Sequence, residues 1–186
     1  MTEMVRRESG RQSDVLDAAL RTFARFGYRK TSMDAVATEA RISRPGLYFL
    51  FSSKSGLFQA AADREIERDL AAAEAALRDT ESPLCDRIVE AFDSWAGRYV
   101  GPLRDVSALL EENPDLLGPV ALAGPARFES LLTAALDAAA QPHEPSVVAR
   151  TLISVSVGLK HQTSNREEYR ARMRDAVRLL TIAPRT

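Results

Sequence analysis

Between Thr31 and Phe58 the chain reads TSMDAVATEARISRPGLYFLFSSKSGLF, and no other stretch limits the fold as tightly. Thr31 is an N-cap type of residue, with Asp34 three positions on in the spacing of a capping box. Ala35, Val36, Ala37 and Ala40 give a small apolar face that lets another helix come close. Ile42 and Ser43 close a turn. Ser43 suits the N-cap of a second helix, and Pro45 falls in that helix's first turn, where a missing N–H costs little. The pattern predicts short helices over 32–39 and 44–50, then a long third helix capped by Ser53. Two short helices joined by a few residues, the second carrying Arg44 and Tyr48, have the outline of a DNA-binding helix-turn-helix.

The rest of the chain predicts an all-α protein of about nine helices. Leu16, Ala19, Leu20 and Phe23 recur at helical spacing over 13–25, and Gly27 is placed to stop that helix. The helix after Ser53 should run over 54–78, with Phe58, Ala62, Ile66, Leu70, Ala73 and Leu77 as its stripe. Further helices are expected over 84–100, 104–112, 115–122, 126–140, 146–162 and 166–182, with Gly124-Pro125 as an interruption and Pro142 to Pro145 as a linker. There is no alternating strand pattern. The near-continuous apolar run Thr151 to Leu159 is too short for a bilayer, which needs about 20 residues.

Composition excludes several classes. In 186 residues there are two histidines and one cysteine, Cys85, with no metal-spaced cluster, nucleophile elbow or glycine-rich phosphate loop. No catalytic, metal or cofactor site is therefore expected. A lone cysteine permits no internal disulfide, which suits a cytoplasmic protein. The net charge of −1 conceals an asymmetry: residues 1–60 carry ten Lys/Arg against six Asp/Glu, and the remainder fifteen against twenty. The basic part coincides with the helix-turn-helix, as phosphate binding requires, although a solvated charged surface gives the same balance.

Residues from about Ser13 to Ala62 resemble the N-terminal domain of the TetR family of bacterial transcriptional regulators. The resemblance rests on Phe26-Gly27-Tyr28 with Thr31 after it, Ala40 to Ser43, Leu47-Tyr48, Phe51, Ser53-Lys54 and Leu57-Phe58. It implies a three-helix DNA-binding domain over 13–62, preceded by a flexible basic arm over 1–12 and followed by a helical effector-binding and dimerisation domain over 63–186. The implied partners are an operator in double-stranded DNA, a second copy of the chain and a small-molecule effector, with no membrane. Three positions depart from the family's habit. Arg41 replaces a common glycine at the turn, Pro45-Gly46 opens the second short helix, and Leu50 stands where a tyrosine or histidine is usual. The competing reading is a helical interaction module whose DNA-binding head has degenerated.

For DNA, Arg44 and Tyr48 are expected to reach the major groove or its edge, since arginine pairs bidentately with guanine and a phenol suits phosphate or a base edge. The resemblance gives Lys54, in the first turn of its helix, a phosphate contact. Thr31 can donate to phosphate or serve as a plain cap. Phe49 can meet a thymine methyl or pack against the first helix. Arg6, Arg7 and Arg11 on the arm can lie along DNA or remain solvated.

For a ligand, Phe92, Trp95 and Tyr99 form an aromatic stripe that serves as core or as pocket lining. The family's habit adds Leu109, Phe128 and His161, although His161 can instead interact with its own helix C-terminus. For dimerisation, the last two helices present Val148, Leu152, Val155 and Leu159, then Tyr169, Met173 and Leu180. These form a four-helix interface with a second copy or the core of a single chain.

Overall fold

Helix follows from helix formers with caps at the ends. In the computed structural model, α1 covers Thr2–Phe26, α2 Met33–Glu39, α3 Arg44–Leu50, α4 Lys54–Arg78, α5 Leu84–Trp95, α6 Arg104–Glu112, α7 Pro119–Ala138, α8 Pro145–Gln162 and α9 Arg166–Thr181. Single 3₁₀ turns cover Gly97–Tyr99 and Pro114–Leu116. The structure describes residues 2–101, 104–140 and 143–181, with side chains described for all of these except 2–9 and Arg104. Among the described residues the fold is all-helical, as the sequence predicts.

Three boundaries differ from the sequence reading. Helix α1 begins at Thr2 rather than Ser13, so the backbone of the expected arm continues the helix. The side chains of Arg6 and Arg7 fall outside the described residues. Helix α5 stops at Trp95, five residues short of the expected end, and the chain tightens into the Gly97–Tyr99 turn. Gly97 makes this possible: a Cβ there would lie 2.6 Å from Asp93 Oδ1 and 2.8 Å from the Tyr169 ring. Helix α7 passes through Gly124-Pro125 without a break. Pro125 itself lies on the exposed side of the helix.

The chain divides into two compact units, Met1–Ile66 with Asp105–Leu122, and Glu67–Arg104 with Ala123–Thr186. In the first unit Phe23, Tyr28 and Phe58 interlock, with ring centroids 5.2 to 5.7 Å apart. Val36, Leu47 and Leu57 are fully buried there. Gly27 takes φ 77° and its N–H bonds to Phe23 O at 2.8 Å, a left-handed stop for α1. Asp17 and Ser13 on α1 receive the Arg64 guanidinium from α4.

The second unit is built on α5, α8 and α9. Ile88, Phe92, Leu152, Tyr169, Met173 and Val177 are buried, together with Phe128, Leu132 and Leu136 of α7. Acids on α5 face arginines on α9. Asp93, wholly buried, accepts a bidentate pair from Arg166 at 2.8 and 2.6 Å and a further bond from Arg170. Glu90 also meets Arg170, at 2.9 Å, and Asp86 meets Arg174 at 3.5 Å.

Candidate nucleic-acid interface

The turn between α2 and α3 decides what α3 can present. Ala40 N–H bonds back to Val36 O at 2.8 Å and Ile42 N–H to Ala37 O at 3.0 Å, closing α2. Arg41 between them takes φ 54°. A side chain in that left-handed region costs roughly 1 kcal/mol relative to glycine. Ser43 then caps α3, its Oγ accepting from Gly46 N–H at 3.2 Å.

From this start, Leu47 goes fully inward and Phe51 follows into the core, while Arg44, Tyr48 and Phe49 go outward. Tyr48 is 42% exposed and Phe49 90%. Packing of Phe49 against α1, the alternative left open by the sequence, is thereby ruled out. Arg44 lies with its guanidinium carbon 5.7 Å from the Tyr48 ring centroid, and its Nε meets Asp34 Oδ1 at 3.1 Å. One short helix thus holds a cation, a phenol and a phenyl ring on its open face. That set suits guanine, phosphate and the thymine methyl.

Two residues expected at this surface have other work. Thr31 is buried, and its hydroxyl donates to Gly27 O at 2.9 Å and Thr22 O at 3.4 Å. The cap of α2 is Ser32, whose Oγ accepts from Ala35 N–H at 3.1 Å. Sequence reasoning missed Ser32 because two capping residues stand side by side and only tertiary burial separates them. Lys54 donates from Nζ to Tyr28 O at 3.0 Å, Thr31 O at 3.1 Å and Arg29 O at 3.4 Å. With its ammonium donating to these three carbonyls, Lys54 fastens the α1–α2 loop to α4. The cap of α4 is Ser53, accepting from Gly56 N–H at 3.0 Å, as predicted.

In the second unit the aromatic residues pack together. Phe128 meets Phe92 edge-on at 5.1 Å and stacks on Trp95 at 5.0 Å. Tyr99 leaves the stripe because α5 ends early, and its hydroxyl donates to buried Asp69, which also receives Arg98. Leu109 is buried but belongs to the first unit, and His161 is exposed in the last turn of α8. The sequence did not reveal an open groove of about 530 Å³ between α4 and α7, floored by Leu70, Ala71, Ala126 and Leu131. Arg127 and Glu67 pair across it at 2.6 Å, and that hydrogen bond holds the Glu67 carboxyl below its ordinary range.

The residues expected at a dimer interface need correction. Val148, Leu152, Leu159, Tyr169 and Met173 are buried within the single chain, and Val155 and Leu180 are half-buried. Helical periodicity identified an apolar face but not its partner, which is this protomer's own core. The side of α8 left open carries Val147, Thr151, Ser154 and Val157, and α9 exposes Leu179.

A capped turn, a buried anchor and an outward basic and aromatic face define a helix-turn-helix. The profile of bacterial regulatory proteins of the tetR family matches residues 15–61, the segment that builds this interface. The chain is 35% identical over 123 residues to the HTH-type transcriptional repressor ComR of Escherichia coli, a match covering 63% of this chain and 59% of ComR. Less than two thirds of that relative's length is therefore spanned. The fold agrees with that of a TetR-family regulator of Mesorhizobium loti, at a TM-score of 0.76 and 18% identity, covering 94% of this chain and 96% of that one. It agrees likewise with SmeT in its triclosan complex, at a TM-score of 0.73 and 18% identity, covering 95% and 96%. Residues 15–61 thus match the helix-turn-helix domain of the TetR family, and the chain as a whole shares the fold of TetR-family structures.

Proposed function

We propose that the chain is a ligand-responsive repressor that binds a two-fold symmetric operator as a homodimer. The observation that carries the reading is the open face of α3, where Arg44, Tyr48 and Phe49 project from a helix anchored by fully buried Leu47. An exposed phenyl ring is unfavourable in water and gains by meeting a base. Similarity to ComR, a repressor by name, favours repression over activation.

Two copies join through the outer side of α8, where Val147, Thr151, Ser154 and Val157 form a weakly polar strip. Such a pair sets two recognition helices about 34 Å apart, one turn of DNA. SmeT binds triclosan in the same fold, which supports a small-molecule effector here. Phe92, Trp95 and Phe128 would line its site once the Trp95–Phe128 stack opens. The ligand changes the spacing of the reading heads only by its differential affinity for the two conformers. The protein acts in the cytoplasm, beside the DNA it binds. Among the described residues no helix is long and apolar enough to cross a membrane.

Selecting bound duplexes from a random pool tests the reading, followed by a screen of small molecules for release. The expected product is a palindrome with half-sites one turn apart. Failure to form any sequence-selective, salt-dependent complex would instead favour a helical interaction protein.

A further inference from the structure

Arg44 is held from two sides. Its guanidinium lies against the Tyr48 ring, and its Nε forms an ion pair with Asp34 of α2, 3.1 Å away across the turn. Both members of this pair are exposed, with 62% and 56% of their side-chain surfaces open. An exposed ion pair adds little to stability, and α2 already has its cap in Ser32. What the pair does is geometric. An arginine paired on its Nε side leaves its two terminal Nη groups as a parallel fork, and that fork matches O6 and N7 of guanine in the major groove. The carboxylate also stands in the way of the commonest wrong partner. A phosphate drawn to Arg44 must approach an anion, whereas an uncharged base edge need not.

We propose that Asp34 is a positioning residue for base readout. It orients Arg44 toward guanine and penalises its capture by phosphate. This rests on the reading of α3 as the DNA-contacting helix, and adds to it a second residue on α2 that sets sequence preference through Arg44. Tyr48 completes the hold by covering the guanidinium face.

The test uses the full chain, a duplex selected from a random pool by the unchanged protein, and a scrambled duplex of equal length. Asp34→Asn keeps the side chain's shape and removes its charge. The ratio of affinities for the selected and scrambled duplexes should fall roughly fivefold to tenfold, within the discrimination one bidentate arginine–guanine pair supplies. Affinity for the scrambled duplex should hold or rise. In an Arg44→Ala background the same Asp34→Asn change should leave the ratio unmoved, because nothing remains to be positioned. A purely structural role would alter the melting temperature and both affinities together, and that result overturns the proposal. So does an undiminished ratio in D34N, or an equal loss with and without Arg44. If the unchanged protein selects no duplex, the reading of α3 fails and takes this inference with it. Selection by the unchanged protein with an unaltered D34N ratio sinks this inference alone.

Discussion

Lys54 and Tyr28 are joined twice: the ammonium donates to the Tyr28 carbonyl at 3.0 Å and lies 4.4 Å from the centroid of the same residue's ring. The ring in turn packs on Phe23 and Phe58. One cation therefore ties the loop after α1 to the start of α4, and the helix-turn-helix is built on that knot.

Lys54→Met should accordingly weaken the fold before it weakens DNA binding. Loss of three charge-assisted bonds to carbonyls is expected to lower stability by about 1–3 kcal/mol, read by urea unfolding. The slope of log affinity against log salt should fall by clearly less than one. A full unit's loss with unchanged stability would return Lys54 to the role of a phosphate ligand.

The clasp between α5 and α9 should be asymmetric. Asp93 is wholly buried while Arg166 remains half-open to water. Replacing Arg166 and Arg170 together by methionine strands a buried carboxylate, which should cost about 3–5 kcal/mol. Asp93→Asn leaves arginines that can turn to solvent and should cost less, about 1–3 kcal/mol. Equal losses in chemical denaturation would show that the carboxylate is better hydrated than its burial indicates.

Alkaline solution should unfold the second unit through Tyr169. Burial pushes this phenol well above its ordinary value, and its hydroxyl meets Ser156 at 2.7 Å. An unfolded chain releases the proton near pH 10 while the folded chain keeps it, so above about pH 10 the folded state binds more protons. The stability tied to this group is complete below that pH and drains away as pH rises. Tyr169→Phe should be less stable at neutral pH by about 1 kcal/mol, yet decline less steeply above pH 10. Parallel stability curves for the two proteins would remove Tyr169 from the account.

The residues differ in how plainly their sequence announced their place. Arg44 and Tyr48 were legible as outward residues because one helical turn separates inside from outside, and Ser43 and Ser53 because capping is a local matter. Arg41 was marked only by the resemblance, as a residue where glycine is common, and its φ of 54° is the reason glycine suits that place. The bonds of Thr31 and Lys54 were not legible because their partners lie on α1 and its following loop, at distances in sequence that periodicity does not reach. Tyr169 and Met173 were recognised as apolar-face residues, but which surface covers that face is a tertiary fact. Pro125 marks the same limit: a local breaker is tolerated where the helix around it is held by packing of Phe128 and Leu132.

Protection of guanine N7 from methylation by the bound protein tests the central claim most directly, because N7 lies in the major groove. The account predicts two protected clusters about one helical turn apart, with protection of at least one guanine in each cluster lost in Arg44→Ala. A single cluster, or protection that survives loss of Arg44, would contradict it.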